Sequence, residues 1–291
     1  MSVKGGRGKV RVGSRKAVRP MLIGLVIGVA ACLVSATSRA PSPLPPSLQR
    51  PLPDEQAFFE TARANLARSN ELQYQYAYKE RRTELHMNPF GRLGTGEVRL
   101  YQVTPGPSAR VYFRQLLERG GKRVPAEKPE QQERRPTTGR SLNDVVATLR
   151  FTMSGREVRD GRDTIVVRFE ARPDADPQTR QGSIAKVLKG RIWIDEAARE
   201  VVRAEATAID SVTFGGIVAR LNEGAEVTFT RERVDGDVWL PTSVRMKGNG
   251  RALLVRRMNI DYFIEWFDYR IPTSQSPRPN PTGRTPNPNT R

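Results

Sequence analysis

The residues able to do chemistry in this chain are few, and their spacing suits little of it. One Cys and one His occur among 291 residues. A single Cys excludes an internal disulfide and any Cys-cluster zinc or iron–sulfur site. A single His excludes a three-His cage or a His-Glu-x-x-His helix. Thiol–imidazole catalysis would need Cys32, inside an apolar run, to meet His86, which follows an alternating segment. Ser183-Ile-Ala-Lys186 has the Ser-x-x-Lys spacing of one class of serine nucleophile. That chemistry also needs a Lys-Thr-Gly strand, absent here, and a downstream Ser-x-Asn, whereas Ser141-Leu-Asn143 lies upstream. Gly8-Lys9 lacks the Ser/Thr of a phosphate loop, and Gly91-Arg-Leu-Gly94-Thr-Gly96 reads as a hairpin loop. Asp174 and Asp176, between prolines, supply too few oxygens for calcium. Asp195, Glu196 and Glu200 read as a strand-end turn. The sequence therefore predicts no catalytic residue, no metal, no cofactor and no enzymatic activity.

The net charge of +18 raises nucleic acid as a partner, but its distribution argues against one. Residues 1–40 carry eight Lys/Arg and residues 271–291 carry three Arg, with no acid in either segment. Removing those eleven cations leaves +7 over the middle 230 residues, where both signs alternate. The core shows no interleaving of basic and aromatic residues.

Those two ends are read as lying outside the fold. Residues 20–38 hold no charge and follow seven cations, the layout of a signal peptide or an N-terminal membrane anchor. Either sends the remainder to the periplasm or cell envelope. A buried helix is the plainer alternative, less suited to so basic a flank. Val29-Ala30-Ala31-Cys32 is similar to a bacterial lipobox, which makes Cys32 a candidate lipidation site. The competing reading is an inert small residue in the apolar run. Six prolines in residues 41–53 mark an extended linker, and six more between Pro272 and Pro288 mark a tail over 271–291.

The remaining 54–270 reads as one domain. Asp54 to Ser69 predicts a helix, with Phe58, Ala62 and Leu66 along one stripe. After it the apolar period changes from helical to two. Tyr74, Tyr76 and Tyr78 are expected on one strand face. Leu149, Phe151 and Met153 repeat the pattern, as do Ile165, Val167, Phe169 and Ala171. Ile192/Ile194, Val202/Ala204/Ala206, Val227/Phe229 and Val244/Met246 continue it. Turns are expected at Asp160-Gly161, Gly215-Gly216, Asp235-Gly236 and Gly248-Asn249-Gly250. The short spacing leaves little room for parallel crossovers, so the prediction is a mainly β, antiparallel meander of roughly eight to eleven strands with a packed helix. Two segments interrupt it. The charged stretch 113–140 and the amphipathic turn carrying Ile184, Val187 and Leu188 are read as surface connections or as lids over the sheet.

Two strings give a family resemblance. Gly190-Arg-Ile-Trp193-Ile-Asp195 precedes Val202-Arg-Ala-Glu205, and Asp235-Gly-Asp-Val-Trp239-Leu-Pro241 follows. With Tyr76-Ala-Tyr78-Lys-Glu-Arg81 they resemble the outer-membrane lipoprotein-sorting (LolA/LolB-like) proteins over about 72–270. The chain departs from that pattern by an extra Asp237, by the 113–140 stretch and by its proline-rich ends. The resemblance implies an unclosed antiparallel half-barrel of about eleven strands with helices on its concave side. It also implies acyl chains of lipids or lipoproteins held between sheet and helices. The candidate lining residues are then Tyr74, Tyr76, Tyr78, Leu149, Phe151, Met153, Val167, Phe169, Val227 and Phe229, with Ile184, Val187 and Leu188 as a candidate lid. Trp193 and Trp239 are expected to pack. The alternative function is an envelope protein-interaction or stress-sensor module on the same fold.

Overall fold

Alternating apolar residues give each strand one face that must be hidden from water, and strands joined by short turns hide it together. The computed structural model describes residues 50–87, 93–133, 139–214, 219–252 and 256–272. The basic N-terminus, the 20–38 run, Cys32, Gly215-Gly216 and nearly all of the tail lie outside those residues.

Helix α1 spans Glu55–Leu72 and runs into a 3-10 turn at Gln73–Gln75. Strands β1 (Ala77–Met87), β2 (Leu93–Pro105), β3 (Val111–Arg119), β4 (Lys122–Arg123) and β5 (Glu130–Glu133) follow. Helix α2 (Gly139–Thr148) leads into β6 (Leu149–Arg159) and β7 (Arg162–Ala171). Helix α3 (Arg180–Ala185) precedes β8 (Leu188–Asp195), β9 (Val201–Ala208), β10 (Val212–Phe214) and β11 (Ala219–Leu221). The last strands are β12 (Glu226–Asp235), β13 (Val238–Ala252) and β14 (Arg256–Arg270).

Eleven strands lie side by side in the order β4-β3-β2-β1-β14-β13-β12-β9-β8-β7-β6. Strand β5 pairs with β3, and the β10–β11 hairpin joins through β13. The pairings are antiparallel, and the sheet is unclosed: β6 and β4 are its two ends. Bulges at Ala77/Lys79, Met153/Gly155, Trp193/Ile194 and Thr230/Arg231 bend the strands. Gly155 supplies the bend in β6 with φ +147°, a conformation that a side chain resists. The curl brings Val103 from β2 and Leu149 from β6 into one apolar cluster with Phe229, Val244 and Ile264. Val145 of α2 and Ile184 and Ala185 of α3 belong to the same cluster, so these helices lie on the inner face. Helix α1 covers the neighbouring part of that face, where Phe58 and Ala62 meet Ile165, Val167 and Ile194.

Several details differ from the sequence reading. Helix α1 and its 3-10 turn consume residues through Gln75, so Tyr74 precedes the strand instead of sharing a face with Tyr76 and Tyr78. The stretch after residue 110 is not a lid, because Val111–Arg119 pairs with β2, β4 and β5 and extends the sheet. Gly248-Asn249-Gly250 makes no turn: these residues sit inside β13, paired with Ile260, Asn259 and Met258. Glycine suits the crowding there, since Leu221 pairs with Gly250 on the other side and Asn222 N–H donates to the Asn249 carbonyl. Val201, rather than Val202, joins the inner cluster, beside the bulge at Trp193/Ile194. Asp160-Gly161 is the tight turn expected, with both φ angles positive (51° and 75°).

Candidate functional site

Register places an unbroken apolar row across the inner face. Met153, Val167, Ile192, Ala204, Phe229, Val244 and Ile264 are successive neighbours on β6, β7, β8, β9, β12, β13 and β14. A parallel row reads Phe151, Phe169, Gly190, Ala206, Val227, Met246 and Tyr262. Both rows narrow to Gly190, Ala204 and Ala206 at their centre, and Ala208 beside them is equally small. The side-chain layer of the floor is therefore thinnest where β8 and β9 meet.

Of the residues singled out from the sequence, Leu149, Val167, Phe169 and Phe229 are at most 2% exposed and Tyr76 and Tyr78 are buried. Phe151, Met153 and Val227 pack against the clusters while partly exposed, and Tyr74 is half-buried outside both. Tyr76 and Tyr78 flank Tyr269, with ring centroids 6.2 and 5.2 Å away. Ile184 lies in the last turn of α3, Leu188 begins β8 and both are buried, with Val187 between them partly covered. Trp193 and Trp239 are buried, and the guanidinium groups of Arg159 and Arg191 stand 4.4 and 4.8 Å from the Trp193 ring.

The helices are held in two different ways. Helix α1 is tied by polar bonds. Asn65 Nδ2 donates to the Ala198 carbonyl (3.0 Å), and Ser69 Oγ donates to Glu200 (2.6 Å). Glu200 also accepts from Arg231 (2.9 Å), whose other nitrogen donates to the Trp239 carbonyl (2.7 Å). Burial pulls the Arg231 pKa down against the pull of Glu200. Helices α2 and α3 are joined to each other, and Asn143 of α2 also accepts from Arg63 of α1 (2.6 Å). Asp144 accepts from the Gln178 N–H (3.0 Å), the Thr179 N–H (2.7 Å) and the Thr179 hydroxyl (2.5 Å). Gly182 is packed so closely that a Cβ there would stand 2.2 Å from Asp144 Oδ2. Toward the floor the pair presents Val145, Ile184 and Ala185.

The β1 end of the floor changes character. Glu80 accepts from Arg114 (2.8 Å), from Arg82 (3.3 Å) and from Trp266 Nε1 (3.2 Å). Arg82 also donates to the Tyr262 hydroxyl (2.7 Å), and Tyr101 donates to Glu84 (3.0 Å). Arg114 stacks 3.5 Å above the Tyr101 ring. Burial pushes the Tyr262 hydroxyl pKa well up, and Arg82, although burial works against its charge, stays firmly protonated beside Glu80. The sequence reading missed this polar wall. Its signal was present in Tyr78-Lys-Glu80-Arg-Arg82-Thr-Glu84, where alternation puts Glu80, Arg82 and Glu84 on the face of Tyr78.

Other polar groups with a chemical look have structural employment. Ser183 Oγ donates to the Thr179 carbonyl (3.0 Å) and Lys186 to the Ala175 carbonyl (2.5 Å), so the two do not form a dyad. Asp195 accepts from the N–H groups of Ala197 and Ala198, capping the β8–β9 turn. Glu196 takes both Nε and Nη2 of Arg156 (2.7 and 2.6 Å), which lowers its carboxyl pKa. Among the described residues no three His, Cys, Asp or Glu groups converge as metal ligands, and no helix is long and apolar enough to cross a membrane.

No family model and no curated protein matches the chain. Solved structures similar to it include a LolA superfamily protein from Nitrosomonas europaea, at 13% identity and TM-score 0.31 over 73% of this chain and 94% of that one. Another is a domain of the outer membrane lipoprotein-sorting type from Vibrio parahaemolyticus, at 12% identity and TM-score 0.35 over 75% and 93%. A third is a DUF1329 family protein from Desulfovibrio piger, at 13% identity and TM-score 0.31 over 76% and 94%.

Proposed function

We propose that this chain is a non-enzymatic, envelope-facing bacterial protein that holds the acyl chain of a lipid or lipoprotein between its sheet and the α2–α3 pair. One observation carries the reading: an apolar row across seven strands, with Gly190 and Ala206 at its centre, shares one cluster with Val145, Ile184 and Ala185 of two short helices, while α1 covers its β6–β7 end. The bonds that Asp144 makes to Thr179 inside the pair are part-buried, whereas the bond from Arg63 to Asn143 is exposed, so the pair can lift as a body without leaving many buried donors unpaired. Helix α1, with its buried polar ties, stays in place. Each methylene moved from water to the floor contributes about 0.8 kcal/mol, so half of a sixteen-carbon chain gives on the order of 6 kcal/mol. The polar wall of Glu80, Arg82 and Tyr262 at the end of the floor suits an amphiphile whose chain lies along the row. The apolar 20–38 segment, as signal, anchor or lipidated end at Cys32, would bring the domain to the envelope.

Titration of residues 50–272 with a fluorescent fatty acid tests the reading. Micromolar or tighter binding is expected, displaced by unlabelled palmitate. Ala206→Leu, which thickens the floor at its centre, should weaken it at least about tenfold at a packing cost of about 1–3 kcal/mol. Absence of saturable binding by a folded wild-type domain, or identical binding by Ala206→Leu, would contradict it.

A further inference from the structure

On the opposite, convex face, a groove of about 420 Å³ crosses β6, β7 and β8. Arg150, Arg168, Lys189 and Arg191 line it, with Glu170 as the one acid. Glu170 is already paired with Arg150, and Arg191 stands 3.9 Å from Glu205, which Arg203 holds at 2.5 Å. Arg168 and Lys189 are exposed and form no ion pair among the described residues. Register puts Thr152, Arg168 and Arg191 side by side on three neighbouring strands. Adjacent strands are about 4.8 Å apart, so the cations form a short ladder and not a scatter.

We propose that this groove docks the domain on a bilayer surface rich in anionic phosphate headgroups. Charge complementarity supplies the attraction. Placement favours a membrane over a soluble anion. The groove lies directly behind Phe151, Phe169 and Gly190 of the apolar floor. Both covering helices enter its strands, α2 at Leu149 and α3 just before Leu188. Docking there sets the hinges of the cover against the lipid surface. The surface does not depend on whether the interior takes an acyl chain, and the two fail separately.

The test uses the full chain carrying Cys32→Ser and Thr152→Cys, with an environment-sensitive dye at position 152 inside the groove. A second form carries the dye at Asp237→Cys, in the β12–β13 turn. Vesicles of phosphatidylcholine with phosphatidylglycerol should blue-shift the dye at 152 and not at 237, and high salt should abolish the shift. Arg168→Glu with Lys189→Glu should raise the lipid concentration for half the shift by about tenfold or more, and the double Gln variant by less. Fatty-acid binding should be retained in both variants. Equal shifts at 152 and 237 would show contact driven by the N-terminal segment and overturn the proposal. So would equal response of wild type and the Glu variant, or a dye that answers to glycerol phosphate but not to vesicles.

Discussion

The Glu200–Arg231 pair shows what single residues decide in this protein. Both side chains are buried, and Ser69 of α1 completes the set, so one ion pair ties the C-terminal half of a helix to β12. A buried pair of this kind contributes less than its Coulomb attraction suggests, but removing one partner strands the other charge. Arg231→Met is expected to lower the unfolding free energy of residues 50–272 by about 3–5 kcal/mol, measured by urea denaturation. Glu196 gives a pH-dependent counterpart. Its carboxyl pKa is lowered by the bidentate Arg156 and by Arg50, so its contribution is complete above the ordinary glutamate value of about 4.3 and fades as pH falls through the lower folded value. Glu196→Gln should cost about 1–3 kcal/mol near neutral pH, and denaturation midpoints of mutant and wild type should converge below that range. The sequence carried part of this information. Asp195, Glu196 and Glu200 read correctly as a turn, but nothing local announces that Glu200 finds Arg231 31 residues away. Inward charges such as Glu80 and Arg82 follow from strict alternation, whereas their partners Arg114 and Trp266 require knowledge of which strands meet.

Among the elements, the α2–α3 pair is the one bound together as a unit. Asp144 binds three donors at the start of α3, and Gly182 lets the two helices approach closely. Gly182→Ala has no room for its methyl beside Asp144 and Pro177. It should lower the melting temperature and speed release of a bound fluorescent fatty acid, read by stopped flow, with a stability cost of about 1–3 kcal/mol. Unchanged melting and release would show that the cover is not held by that contact. Strands whose apolar residues alternate without interruption, such as Ile165 to Ala171, were legible from sequence, and so was the turn at Asp160-Gly161. Gly248-Asn249-Gly250 was misread because a glycine pair signals both a turn and a strand pressed by another backbone. Val111–Arg119 was hidden by its charge: Arg114 serves the interior through Glu80 and Tyr101, so its position does not look apolar.

At the scale of the molecule, a sheet of eleven strands in sequence of pairing, β4 to β6, curls without closing and leaves one face to the helices. The alternation that puts the apolar rows inside puts Arg150, Arg168, Lys189 and Arg191 outside. The central claim concerns the inside: the floor beneath α2 and α3 is a place for an acyl chain. Its most direct test is organic extraction of the purified chain, followed by mass spectrometry of what is released. The account predicts acyl-bearing lipid in near-stoichiometric amount from the wild type and much less from Ala206→Leu. Folded wild-type protein that repeatedly yields no acyl-bearing lipid would contradict it.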